Sequence, residues 1–320
     1  MKISLITPAK KHSKNGNRAS ALRWARFLRD RGHTVRIDVE YNGEPADLMI
    51  ALHAWRSAGA INQYRGKYPA GPLIVALGGT DVNGFLKSDP DVTLKSMDAA
   101  DALVCLHDLI GQALPERHRG KLHVIRQSAA PLPFPRKPAA RHFDVCVVGH
   151  LREEKDPYRT ALAARLAPAG SRLRVIHLGK AHTEDWAAEA RTEMAANPRY
   201  IWKGEVPAWR VRREFAKTHV MVISSNQEGG ANVVSEAVIA GVPVIASDIP
   251  GNVGLLGADY PGYYPVRDER ALADLLTRAE TDPAFLKSLV AHGRKLKAGF
   301  MPAKEAAGWN KVVDLVTPAG

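Results

Sequence analysis

The stretch from His219 to Ser247 constrains this chain more than any other segment, because it reads as strand, glycine turn, helix and strand in immediate succession. The apolar run His219 to Ile223 has the composition of a parallel strand buried on both faces, and Gly241-Val242-Pro243-Val244-Ile245-Ala246-Ser247 leads into the next one. Between them, Gly229 and Gly230 expose backbone amides without side chains in the way, just before a helix expected to begin near Asn232. Such a helix start is an anion site. Glu228 and Glu236, eight residues apart, would repel a phosphate if both crowded it, so hydroxyl groups, of a sugar and of a ribose, are their expected partners. The same glycines in isolation would serve a tight turn and nothing more; the rest of the chain decides.

Its 320 residues suit two units of about 150 residues each rather than one core. Strand-like runs Ile3–Ile6, 34–39, Leu48–Leu52, 73–77, 102–106 and 122–125 alternate with amphipathic segments, as a parallel sheet covered by helices requires. The Pro-rich segment Ala129-Ala130-Pro131-Leu132-Pro133-Phe134-Pro135-Arg136-Lys137-Pro138 interrupts this pattern. Alternation then restarts at 144–148 and continues through 173–178, 200–202, 220–223 and 244–246 before ending in helices. The expected organisation is an N-terminal domain over 1–130, a linker over 131–142, a C-terminal domain over 143–300 and a final helical segment over 301–320.

No stretch approaches the length of a membrane span, and the apolar part of Met1 to Pro8 is too short for a signal peptide, so the expectation is a cytoplasmic protein. Cys105 and Cys146 lie in apolar runs where buried thiols are expected, with no disulfide framework or zinc site. Ten Lys or Arg and one acid, Asp30, fall between Met1 and Arg36, out of a formal net charge of +12. Arg23, Arg26, Arg29 and Arg31 read as the solvated face of a helix carrying Trp24 and Phe27 inward. Lys10, Lys14 and Arg18 instead flank a turn, Asn15-Gly16-Asn17, after the first strand, where the loops of such sheets meet ligands.

The dinucleotide fingerprint G-x-G-x-x-G is missing after that strand, which disfavours an oxidoreductase. Asp89-Pro90-Asp91 looks like a D-x-D metal motif but precedes a helical run, where Asp89 is expected to cap. His12, His53 and His107 lack metal-ligand spacing, and no metal or cofactor is called for.

The run Glu228 to Glu236 resembles the E-x7-E signature of retaining glycosyltransferases of family 4, which use nucleotide sugars and have the GT-B fold. The resemblance implies two doubly wound, Rossmann-like α/β domains facing a central cleft, with the last helical segment, Ala303 to Val316, crossing back to the first domain. It implies that Glu228, Gly229, Gly230 and Ala231 hold the donor sugar, that Asn232 and Val233 lie near the diphosphate, and that Glu236 holds the ribose. Val148-Gly149-His150-Leu151-Arg152-Glu153-Glu154-Lys155 stands where the family carries a Gly-Arg-Leu segment followed by Lys-Gly, so Lys155 matches the lysine that neutralises the departing diphosphate. His150 replaces the expected arginine, and Arg152 is the candidate to restore that charge. Trp202-Lys203-Gly204-Glu205-Val206 resembles the segment whose backbone reads the nucleotide base.

A wider set, with Lys14-Asn15-Gly16-Asn17-Arg18, Ala51-Leu52-His53-Ala54, Ala76-Leu77-Gly78-Gly79-Thr80-Asp81, Gln127-Ser128-Ala129 and Gly251-Asn252-Val253-Gly254-Leu255-Leu256-Gly257, is similar to the selenosugar synthases of selenoneine biosynthesis. That family is implied to join selenophosphate to the sugar of UDP-GlcNAc or UDP-glucose, releasing UDP and phosphate, between pathway enzymes that supply selenophosphate and consume the selenosugar. A small anionic nucleophile needs cations and amide donors rather than a base. Lys10, Lys14, Asn15, Gly16, Asn17, Arg18, Thr80 and Arg126 are the candidates, with Lys155, Glu228, Arg152 and His53 as the catalytic set and His12 or His53 assisting water attack on phosphorus. Two alternatives stand beside this: a hydroxyl-directed UDP-sugar glycosyltransferase, and a basic RNA- or glycan-binding protein. The second is disfavoured because no aromatic stacking motif interleaves with the basic run, and neither nucleic acid nor a membrane is an expected partner.

Overall fold

The computed structural model describes residues 1–13 and 16–317. The chain divides into two compact units, Met1–Ser128 with Pro302–Gly320, and Ala129–Met301. Lys14 and Asn15 lie outside the described residues.

The first unit is built on six parallel strands, β1 (Lys2–Ile6), β2 (Thr34–Asp38), β3 (Leu48–Leu52), β4 (Leu73–Ala76), β5 (Ala102–Cys105) and β6 (Leu122–Val124), in the order β2-β1-β3-β4-β5-β6. Every residue of β3 and β4 is buried, as expected of strands covered on both faces. The two-residue period sends Ile3, Leu5, Leu48, Ile50 and Ile74 to one face and Ile6, Met49, Ala51, Leu73 and Val75 to the other, so two separate cores form. The first face is covered by the helix Gly16–Asp30 and by the last helix, Pro302–Val316.

That last helix belongs to the core. Trp309 is fully buried with its ring 4.5 Å from that of Trp24. Glu305, also buried, accepts from Trp24 Nε1 and Arg23 Nε at 2.8 Å each, and from Ser128 N at 2.7 Å and Ser128 Oγ at 2.5 Å. A carboxylate taken out of water is tolerated only when paired and hydrogen-bonded in this way.

The second unit carries β7 (Phe143–Val148), β8 (Leu173–Leu178), β9 (Tyr200–Trp202), β10 (Val220–Ile223), β11 (Val244–Ser247) and β12 (Tyr263–Tyr264), all parallel, in the order β12-β11-β10-β7-β8-β9. Its core runs from Phe143 and Val145 through Val222 and Ile245 to Leu272, Leu289 and Phe300. The Pro-rich segment satisfies its backbone against this unit: Lys137 N donates to Ala216 O at 2.8 Å, Ala139 N to Lys217 O at 2.9 Å, and the Arg212 guanidinium reaches Ala130 O at 3.1 Å.

Three local expectations change. Gly16 and Asn17 open the helix Gly16–Asp30 instead of forming a turn before it. Asp89 holds the cap position of the helix Pro90–Ala99, but its carboxylate accepts from Ser88 Oγ at 2.8 Å and caps no amide of the first turn. The strand β12 was not foreseen; two tyrosines after Pro261-Gly262 pair only with β11, a contact that local pattern does not announce.

Candidate functional site

In doubly wound sheets ligands bind beyond the carboxyl ends of the strands, where the strand order reverses. In the second unit that point lies between β7 and β10. The loop after β7 brings Gly149, His150 and Lys155, the loop after β10 brings Ser224, Ser225 and Glu228, and Val233 comes from the helix Asn232–Ala240; together they line one pocket.

Lys155 Nζ donates to Glu228 Oε1, and Ser225 Oγ donates to the same oxygen at 2.6 Å. Ser224 Oγ holds the loop that carries Lys155, donating to Lys155 O at 3.1 Å and Asp156 O at 2.9 Å. Sequence reading gave Lys155 and Glu228 separate partners; the fold joins them into one part-buried ion pair. Gly251 explains why Glu228 can stand where it does: a Cβ there would lie 2.4 Å from Glu228 O. Gly230 has φ of 117°, a conformation that glycine alone adopts readily. Ala231 precedes the helix Asn232–Ala240 and has no side chain to cap it, so the first-turn amides are left to other partners. Glu236 lies one turn into that helix and is exposed.

Two histidines shape the loop after β7. His177 is fully buried, and burial lowers its pKa to about 4, so its ring is neutral. Its Nε2 lies 3.1 Å from Gly149 O, which can only accept, so the proton is on Nε2 and Nδ1 accepts from Tyr200 OH at 2.9 Å. Gly149 is thereby locked. His150 Nδ1 accepts from Lys180 N at 3.2 Å, which places its proton on Nε2. Burial lowers the His150 pKa, and His182, Arg152 and Lys155 add to that shift. His150 thus offers a neutral N–H donor where an arginine was expected. Arg152 does not line the pocket; its Nε lies 3.7 Å from Glu154, which offsets its charge.

A second, open pocket of about 390 Å³ is lined by Lys180, His182, Thr183, Trp202, Gly204 and Glu205. Trp202 Nε1 donates to Gly179 O at 2.8 Å, which sets the ring on edge while its body packs on the core. Lys203 is turned away: its Nζ pairs with Glu214 at 3.0 Å.

In the first unit the order reverses between β1 and β3. Here Asp81, which sequence reading left without a role, organises the loops. Its Oδ2 accepts from Gly78 N at 2.7 Å and Ala54 N at 2.9 Å, and its Oδ1 from Trp55 N at 2.9 Å and His53 Nδ1 at 2.6 Å. His53 Nε2 meets Thr80 Oγ1 at 2.6 Å. Gly78 makes room for this ring, since a Cβ there would lie 2.8 Å from His53 Cδ2. Trp55 stacks on Phe85 with centroids 4.0 Å apart, and the Arg56 guanidinium lies 5.5 Å from the Phe85 centroid. Among the described residues no carboxylate is within ion-pair reach of Arg56.

The expected convergence of acceptor residues is realised only in part. Gly16, Asn17 and Arg18 start the helix after β1, with Arg18 buried in its first turn, and Thr80 sits after β4. Lys10 and His12 are exposed in the loop after β1. Arg126 follows the edge strand β6, three strands from β3 or about 14 Å away, and pairs with Asp108. His107, after β5, is buried with both ring nitrogens unpartnered among the described residues, and burial lowers its pKa to about 4. No group of three metal-binding side chains occurs among the described residues, nor any helix long and apolar enough to cross a membrane.

Two doubly wound units with parallel six-stranded sheets define the GT-B class of fold. The chain belongs to the glycosyl transferases group 1 family, whose model matches residues 133–296, just over half its length. Glycosyltransferase 1 domain-containing protein 1 of Xenopus tropicalis is 22% identical over 322 residues, covering 92% of each chain. Among solved structures, Anabaena HepE in complex with UDP superposes with a TM-score of 0.80 at 14% identity, covering 100% of both chains. Sucrose-phosphate synthase of Thermosynechococcus elongatus does so with a TM-score of 0.80 at 17% identity, again over 100% of both.

Proposed function

We propose that this protein transfers the sugar of UDP-GlcNAc or UDP-glucose to selenophosphate, forming a carbon–selenium bond and releasing UDP and phosphate. The observation that carries the donor half is the Lys155–Glu228 pair at the uncapped start of the helix Asn232–Ala240, at the point where the sheet order reverses. The carboxylate suits sugar hydroxyls, while Lys155, the His150 N–H and the helix amides suit a departing diphosphate. The open pocket beside Trp202 and Gly204 suits a nucleotide base. That a structural neighbour was solved with UDP-glucose supports a UDP-sugar donor.

The acceptor half rests on the motif set and on the first unit. Helix-start amides at Gly16 and Asn17, the Arg18 side chain and an Arg56 cation with no carboxylate partner among the described residues suit a small dianion that is already nucleophilic. A second reading, transfer to a hydroxyl compound, is favoured by the half-exposed Trp55–Phe85 stack, a surface that also suits a sugar ring.

The test incubates the purified protein with UDP-GlcNAc or UDP-glucose, with and without enzymatically generated selenophosphate, and follows UDP and selenium-containing sugar by mass spectrometry. Selenophosphate-dependent UDP and selenosugar are expected. UDP-sugar binding without that product refutes the acceptor and turns the assignment to the hydroxyl-directed reading; absence of binding refutes both.

A further inference from the structure

We propose that Thr80, His53 and Asp81 form a proton relay that cleaves the phosphorus–selenium bond after sugar transfer, with Asp81 as the residue that positions His53. The inference rests on selenophosphate being the acceptor.

The geometry is a chain with fixed polarity. Asp81 is fully buried, both of its oxygens accept from backbone amides and Oδ1 also accepts from His53, so it is held as a carboxylate that cannot turn. Its 2.6 Å contact takes the proton on His53 Nδ1, outweighing the long 3.4 Å approach of Arg56 N to the same nitrogen, and leaves the Nε2 lone pair to the Thr80 hydroxyl at 2.6 Å. Thr80 is half-buried, and its hydroxyl is the end of the chain nearest solvent. A base oriented by a third group and hydrogen-bonded to a hydroxyl is the arrangement that activates oxygen nucleophiles on unrelated folds.

Two features mark this cluster as more than a structural knot. His53 sits at φ of 83°, a left-handed conformation that strains a non-glycine residue, and such strain gathers at functional sites. A π-helical turn, Asp81–Phe85, begins on the relay itself, and such turns gather there too. His118 and Asp98 make an equally short contact of 2.6 Å elsewhere in the unit, yet Asp98 is half-exposed and shared with Arg117, and no hydroxyl among the described residues completes that pair.

Attack of selenium on the anomeric carbon leaves a sugar–selenium–phosphoryl species. Water then attacks phosphorus: a phosphorus–oxygen bond forms, the phosphorus–selenium bond breaks, and its electron pair leaves on selenium. The Thr80 hydroxyl passes its proton to His53 Nε2 as it takes one from the water, and His53 returns that proton to the selenolate. The products are a selenol and hydrogen phosphate.

The experiment measures UDP and inorganic phosphate in one reaction of UDP-glucose or UDP-GlcNAc with enzymatically generated selenophosphate, for the wild type and for Thr80→Val, Thr80→Ser and Asp81→Asn. The wild type is expected to release the two in equal amounts. Thr80→Val and Asp81→Asn are expected to lower phosphate release about 10²-fold, the scale of general base catalysis, with UDP release falling far less and the phosphorylated selenosugar accumulating. Thr80→Ser restores phosphate release, and Asp81→Asn also displaces the pH profile of that step, which a merely structural aspartate would not do. If Asp81→Asn fails to fold, the Thr80 pair decides, since valine removes only the hydroxyl. Equal release of UDP and phosphate by Thr80→Val overturns the relay alone. Absence of selenophosphate-dependent UDP release by the wild type overturns the acceptor reading, and the relay with it.

Discussion

Replacing Gly179 by alanine tests how the second unit builds the loop after β7, without changing a residue of that loop. An added Cβ would stand 1.7 Å from Gly149 O and 2.5 Å from Gly149 C. Contacts under 3.0 Å are not sustained, so the two backbones must part by at least about 1.3 Å. Neither is free to do so: Gly149 N donates to Leu178 O at 3.0 Å, Gly179 N to Gly204 O at 2.9 Å, and His177 holds Gly149 O. Overpacking of this kind costs about 1–3 kcal/mol, or roughly 3–10 °C in the Tm of a unit this size. The larger effect falls on binding, because Gly149 and His150 are carried off their positions, and a misplacement of about 1 Å costs on the order of 10². Calorimetric titration with UDP and thermal unfolding of Gly179→Ala measure both, with Gly170→Ala as a control whose Cβ meets nothing within 4 Å. Wild-type UDP affinity and Tm in Gly179→Ala would refute the claim that the Gly149 loop is held in register by this contact.

Lys155→Met removes the cation from the Glu228 pair, and kcat/KM with a UDP-sugar is expected to fall about 10²–10³-fold; a loss under tenfold in steady-state kinetics argues against a role at the leaving group. Glu305→Ala strips the common acceptor from Arg23, Trp24 and Ser128 in the first core and is expected to cost about 3–5 kcal/mol in denaturant unfolding, with a loss under 1 kcal/mol as the contrary result. His177 and His107, both with pKa near 4 in the folded chain, stay neutral where the unfolded chain, titrating near 6.5, takes up protons. Stability is therefore lost as pH falls from about 6.5 to 4, by about 2 kcal/mol for each histidine at pH 5, and not above that window. An NMR titration that finds the His177 ring protonating near 6.5 contradicts this.

The segment His219–Ser247 was legible because strand, turn and helix are contiguous, so local pattern alone orders them. His177 was missed although a signal existed: a histidine inside the apolar strand Leu173–Leu178 needs partners for both nitrogens, and those partners lie near the pocket. The role of Asp81 is not legible locally, since nothing in Gly78-Gly79-Thr80-Asp81 states that four donors from two loops converge on one carboxylate. Arg126 shows the same limit from the other side. Alternation places it at a strand end, as it does Thr80, but only the sheet order reveals that β6 is the edge.

By itself, the sequence determined the two α/β alternations, the proline-rich break between them, the burial of both cysteines and the glycine-bearing helix start after β10, because these follow from hydrophobic period and backbone chemistry over a few adjacent residues. Tertiary structure decided that Lys155 meets Glu228, that His53 joins Thr80 and Asp81, and that the last helix completes the first core through Glu305 and Trp309. Those partners are tens to hundreds of residues apart, and their meeting depends on which strands become neighbours. Strand order is set by the burial of whole faces and the handedness of crossovers, and no local window of residues contains either.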